Sequence, residues 1–234
     1  MPEAKSPIPE LATTVMAAIA GALTLAVVWN RADASRHGGA ALAMAAATAL
    51  LVTPLFVPRS SLVARACWCA LMVLGSIAGI LVLAVPDWPW RALLLTATTA
   101  FAWSMAIAWG ASLGTGGRGE EAARWSALAV LLLMALAPVW AGPLLAQIGS
   151  DSGLARALLA ANPLVAVSSA AGYDVLRSPW FYHHSVLGSL RLRYPGPGEI
   201  AVIDALLLLI PLLLPALTWR RGPGYPKTHL ESLL

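Results

Sequence analysis

Apolar and polar positions in this chain fall into long blocks rather than alternating residue by residue. Six apolar blocks, at 11–29, 39–57, 66–85, 92–112, 126–145 and 200–219, hold a single charged residue among them, Asp204. Each is about as long as the roughly 20 residues an α-helix needs to cross the hydrocarbon core of a bilayer. Most polar separators are short; the exception is 148–199, before the last block. The pattern predicts an all-α, polytopic membrane bundle of six transmembrane helices, forming one domain over 1–234.

The long separator has a pattern of its own. An apolar stretch at 154–161 is followed by Asn162-Pro163, which signals a turn, and then by a helical pattern at 164–176. Next come a polar aromatic stretch, 178–184, and a segment rich in Arg, Pro and Gly, 191–198. Two helices of this size are too short to cross, so a re-entrant or interfacial hairpin is predicted between the fifth and sixth spans. A seventh full span here would bury Arg156, or Asp174 with Arg177, at a heavy penalty.

Composition agrees with the blocks. Hydrophobic residues make up 59% and charged residues 11%, where a soluble domain carries roughly 25% charged. The net charge of +4 does not point to nucleic acid, because the basic residues sit at block ends and not along one face. With both termini inside, the inner short segments hold eight positives: Lys5, Arg59, Arg65, Arg118, Arg124, Arg220, Arg221 and Lys227. The outer short loops then hold three, Arg31, Arg36 and Arg91, so the positive-inside rule favours cytoplasmic termini. Abundant Ala and a preference for Arg over Lys suggest a GC-rich bacterial gene and hence the bacterial inner membrane. Block 11–29 also has a signal-peptide reading, since Ala32-Asp33-Ala34 resembles a cleavage site. Its length and its acidic leader favour a retained span.

Candidate chemistry is sparse. Cys67 and Cys69, two apart on one helix, point to different sides and are expected to be buried small side chains. The glycines of 114–119 match a dinucleotide-binding turn only literally, without a strand before them, and predict a loop. Glu120 and Glu121 precede Arg124 with two residues between, where membrane CAAX-type metalloproteases have three; they suit the first turn of the fifth helix. His183-His184 is the one His pair, better suited to a headgroup or partner contact than to a metal. Asp204, within the last block, is an intramembrane acid and so a candidate for function, or else for reaching the interface or pairing with an Arg of the outer segment. Gly75 and Gly79 are expected to let helices of the same chain pack closely. No catalytic set and no metal or cofactor site can be assembled, so the chain is not expected to be an enzyme.

Six spans and a helical hairpin around Asn162-Pro163, followed by Gly172-Tyr173-Asp174 and the return into 200–219, resemble in layout the ABC-2 class of ABC-exporter permeases. The resemblance implies a dimeric transmembrane unit, a homo- or hetero-oligomer, working with a separate ATP-binding subunit. Coupling would fall on inner surfaces, with Arg59, Arg65, Arg118 and Glu121 as candidate partner contacts. Asp174, Arg177, His183, His184 and Asp204 become candidates for the outer side and substrate path. An apolar bundle with few buried charges suits a lipidic or amphipathic substrate better than an ion or sugar. The alternative is a non-catalytic structural or assembly subunit of a larger membrane complex, with 180–184 as its docking surface.

Overall fold

Backbone groups inside a charge-free block find no partner in lipid and must satisfy one another, which a helix does within a single segment. The computed structural model describes residues 38–56, 62–83, 90–113, 117–143, 147, 153–177 and 194–219. Helix α1 covers Gly38–Phe56, α2 Leu62–Leu83 and α3 Trp90–Ala111. Each matches its expected block to within about a turn, and these three helices are long and apolar enough to cross a membrane. They are followed by α4 (Gly117–Ala135), α5 (Ala137–Trp140), α6 (Gly153–Ala160), α7 (Pro163–Ala170), a 3-10 turn (Val175–Arg177) and α8 (Pro197–Trp219). Among the described residues every regular element is helical. Block 11–29 lies outside them.

The fifth block departs from expectation. In place of one helix over 126–145, α4 begins at Gly117, inside the stretch expected as a loop, and stops at Ala135. The cause of the stop is Pro138, which has no N–H to give the Met134 carbonyl four residues back. The Val139 N–H then donates to Leu136 at 2.8 Å and not to Ala135, so the chain tightens locally into α5. Among the described residues, three helices meet the length and composition of a span, α1, α2 and α3. Helix α4 also carries Arg118, Glu120, Glu121 and Arg124 in its first two turns.

A second departure is the length of α7, which ends at Ala170 and does not continue to 176. Gly172 has φ +71°, the left-handed conformation that glycine takes at little penalty. There the Tyr173 N–H reaches back to the Ser168 carbonyl at 2.8 Å, and the Gly172 N–H to Ser169 at 3.0 Å. This pairing of the last carbonyls is a Schellman motif, and it turns the chain out of the helix.

Helix α3 is the hub, packing against α1, α2, α4, α7 and α8. Apart from Trp103 and Met105, its buried residues are small or hydroxylated, among them Thr96, Thr99, Ala100, Ala102, Ser104 and Ala108, which let neighbouring backbones approach closely. The hydroxyls do not go unpaired: Thr96 returns its proton to the Ala92 carbonyl at 2.7 Å, and Thr53 on α1 does the same to Ala49 at 2.7 Å. Helix α7 is buried almost throughout, against α1, α3 and α4. The closest approach is at Gly39, where an added Cβ would stand 2.6 Å from the Ala171 carbonyl oxygen. Gly75, by contrast, is exposed and faces open space, so the expected close packing is made at Gly39 and along the alanines of α1. Val202, Leu206, Leu209 and Leu213 form one exposed stripe along α8, and Val63, Leu71 and Leu74 are exposed on α2. Such continuous apolar surface suits hydrocarbon rather than water.

Candidate functional site

Polar side chains inside this bundle collect in four places. The first is the attachment of α7. Asn162 is buried and caps α7, its Oδ1 accepting the Val165 N–H at 2.9 Å. Its Nδ2 donates to the Met134 carbonyl and, at 3.3 Å, to that of Ala135. These are the two carbonyls that Pro138 and the tightened turn leave without a helical partner. One amide thus closes the break in α4 and starts α7.

The second place is the approach to α8. The Tyr194 hydroxyl donates to Asp174 Oδ1 and accepts the Leu176 N–H at 2.8 Å. Ser169 Oγ donates to the Pro195 carbonyl at 2.9 Å. Helix α8 then opens with Pro197 in its first turn and Glu199 reaching back to the Gly196 N–H at 2.8 Å, half of a capping box. Asp174 is therefore a fastening for the returning chain. Arg177 lies in the adjoining 3-10 turn, while His183, His184 and the aromatic stretch 178–184 lie outside the described residues.

The third place is Asp204, about two turns into α8. It is 7% exposed and does not reach the surface of the fold. Thr99 of α3 donates to its Oδ2 at 2.8 Å, while Oδ1 is buried without a hydrogen-bond partner. Further along both helices, Leu208 packs against the cluster that holds Met105 and Ala108, so α3 and α8 run in the same direction and begin at the same end of the bundle. One turn along the same face of α3 is Trp103, 5% exposed, whose Nε1 is also buried without a partner. Trp103 forms part of the wall of a groove of about 430 Å³ between α3 and α4. The rest of that wall is apolar apart from Ser126.

At the opposite end, where α2 starts and α3 stops, Arg65 is 6% exposed. Its Nη1 donates to Ser112 Oγ at 2.8 Å, and that hydroxyl donates to the Trp109 carbonyl at 2.7 Å. Arg65 thus differs from the surface contact expected of it: its side chain is turned inward and clamps two helix ends. Glu121 is exposed, Arg118 belongs to the first turn of α4, and Arg59 lies outside the described residues. Cys69 is buried as expected, but Cys67 is exposed, because residues two apart on a helix point to different sides. Among the described residues no three His, Cys, Asp or Glu side chains gather to hold a metal.

Sequence reasoning named Asp204 and Asp174 but not the residues that hold them, Thr99 and Tyr194. It read Asn162 only as a turn. The signal for its second role was present as Pro138, whose missing donor had to be replaced from elsewhere. Comparison with protein-family models, curated proteins and solved structures finds no match for this chain.

Proposed function

We propose that the chain is the membrane-embedded permease subunit of an exporter of the ABC-2 type, moving a lipidic or amphipathic substrate while a separate subunit hydrolyses ATP. The observation that supports this reading is the α6–α7 pair. It is fastened through Asn162 to the broken end of α4, and through Ser169 and Tyr194 to the approach to α8. On this reading the chain crosses a bacterial inner membrane six times with both termini in the cytoplasm. The pair is then a re-entrant hairpin on the outer side, as in the exporters whose layout the sequence resembles.

The polar groups then divide the work. On this reading Asp204 and Thr99 belong to the path of the substrate, and the candidates Asp174, Arg177, His183 and His184 to the outer side. The inner contacts for the ATP-binding subunit are Arg59, Arg118 and Glu121. Arg65 supports that surface from within by joining α2 to the end of α3. The chain itself needs no cofactor for this role, and it would act as a homo- or hetero-oligomer.

Affinity purification of the full chain from its own membranes in mild detergent tests the reading. An ATP-binding protein should co-purify in near-equal amount. Glu121→Lys, at an exposed position, should lower its recovery several-fold without changing the yield of the chain. A constant set of partners that includes no ATPase would replace the exporter with a structural or assembly subunit.

A further inference from the structure

We infer that the stretch 194–196 is a latch between the α6–α7 pair and α8, and that its release opens a gap beside α7 through which Asp204 is reached. This deepens the exporter reading and rests on it for the idea that something passes there.

The attachments of the pair are unequal. Toward α4, Asn162 is 2% exposed, and α7 itself is buried against α1 and α3. Parting there would leave buried polar groups unpaired and bring apolar surface out, both at full cost. Toward α8 the fastening side chains, Ser169, Asp174 and Tyr194, are only half-buried. Ser169 donates to the Pro195 carbonyl, and the Tyr194 hydroxyl donates to Asp174 and accepts the Leu176 N–H. Bonds between groups that water reaches are exchanged for bonds to water at small net cost. Local opening starts where such bonds are the hold, so the pair and α8 part first at 194–196.

Helix α8 is also held on one side. It packs along α3, and its other main contacts are with α6 and α7. Its outward stripe, Val202, Leu206, Leu209 and Leu213, is exposed and has no helix behind it. Ile200, at the end of the first turn, is 1% exposed, and Asp204 follows one turn later on the same face. Moving the latched end of α8 outward therefore uncovers Ile200 and then Asp204, whose Oδ1 has no hydrogen-bond partner while the gap is closed. The Thr99 bond to Asp204 Oδ2, 2.8 Å, is the next tie along α8 and sets how deep the gap runs.

The test uses the full chain in nanodiscs with no ATPase present, after Cys67 and Cys69 are replaced. Three buried positions report in separate variants: Ile200→Cys beneath the latch, Leu159→Cys on α6 and Thr53→Cys on the face of α1 toward α3. Each is followed by its rate of reaction with a water-soluble maleimide, with the latch intact and with Tyr194→Phe and Ser169→Ala combined. Releasing the latch should speed Ile200→Cys by about tenfold or more, the weight of roughly one net hydrogen bond, and leave the other two rates unchanged. Amide exchange over 198–204, measured with Ile200 in place, should rise in the same variant. No rise at Ile200→Cys or in that exchange, or an equal rise at all three cysteines, overturns the inference. Neither result depends on a partner ATPase, so failure here and failure of the co-purification are separate outcomes.

Discussion

Replacing Asn162 with alanine is expected to destabilise the bundle by on the order of 3 kcal/mol, read as a loss of thermal stability in detergent. The cap of α7 contributes about 1 kcal/mol of this. The rest comes from the Met134 and Ala135 carbonyls, which would be left buried with no donor, at about 1–3 kcal/mol for each group unpaired. Asparagine to aspartate is the discriminating change, because aspartate caps a helix as well as asparagine does. If the Nδ2 bonds to the break in α4 matter, Asn162→Asp should be at least as damaging as alanine, since an acceptor would then face two carbonyl oxygens. A stable Asn162→Asp variant would reduce the residue to a cap.

The next largest effect is expected at Gly39. An added methyl there meets the Ala171 carbonyl at 2.6 Å, closer than a real Cβ contact, so α1 and the end of α7 must separate. Overpacking of this kind costs about 1–3 kcal/mol, only partly offset by the gain of up to about 1 kcal/mol in helix propensity. Gly39→Ala should therefore destabilise, and Gly39→Val more strongly. Gly75→Ala supplies the control, because nothing lies within 4 Å of its added Cβ. There the propensity gain is unopposed and stability should hold or rise. Opposite signs at the two glycines, measured by the same thermal assay, would confirm that α1 and α7 meet through backbone.

What the block pattern could foresee, and what it could not, divides along physical lines. Helices α1, α2 and α3 were legible because a charge-free run of span length with no proline in its middle satisfies its backbone in lipid as one helix. The break in α4 was written in Pro138, but a proline inside an apolar run is often absorbed as a kink. Whether it stops the helix depends on which distant group takes the freed carbonyls, and Asn162 is far away in sequence. Gly172 ended α7 early by a local device, the αL turn that glycine takes at little penalty, which the apolar pattern of 164–176 masks. Gly75 and Gly39 could not be ranked from sequence, since small residues permit close approach without choosing a partner. Asp204 was legible as an anomaly in an apolar block, while its partner Thr99 was one hydroxyl among several on α3.

The central claim is that the chain between α4 and α8 leaves the bundle and re-enters it at the same end. Single cysteines at Gln147, Gly198 and Glu121, all exposed, introduced after Cys67 and Cys69 are replaced, test it directly with a membrane-impermeant maleimide on intact cells. Gln147 and Gly198 should react from outside and Glu121 only after the membrane is opened. Labelling of Gln147 and Gly198 from opposite faces would mean that the intervening segment crosses the bilayer, and would contradict the account.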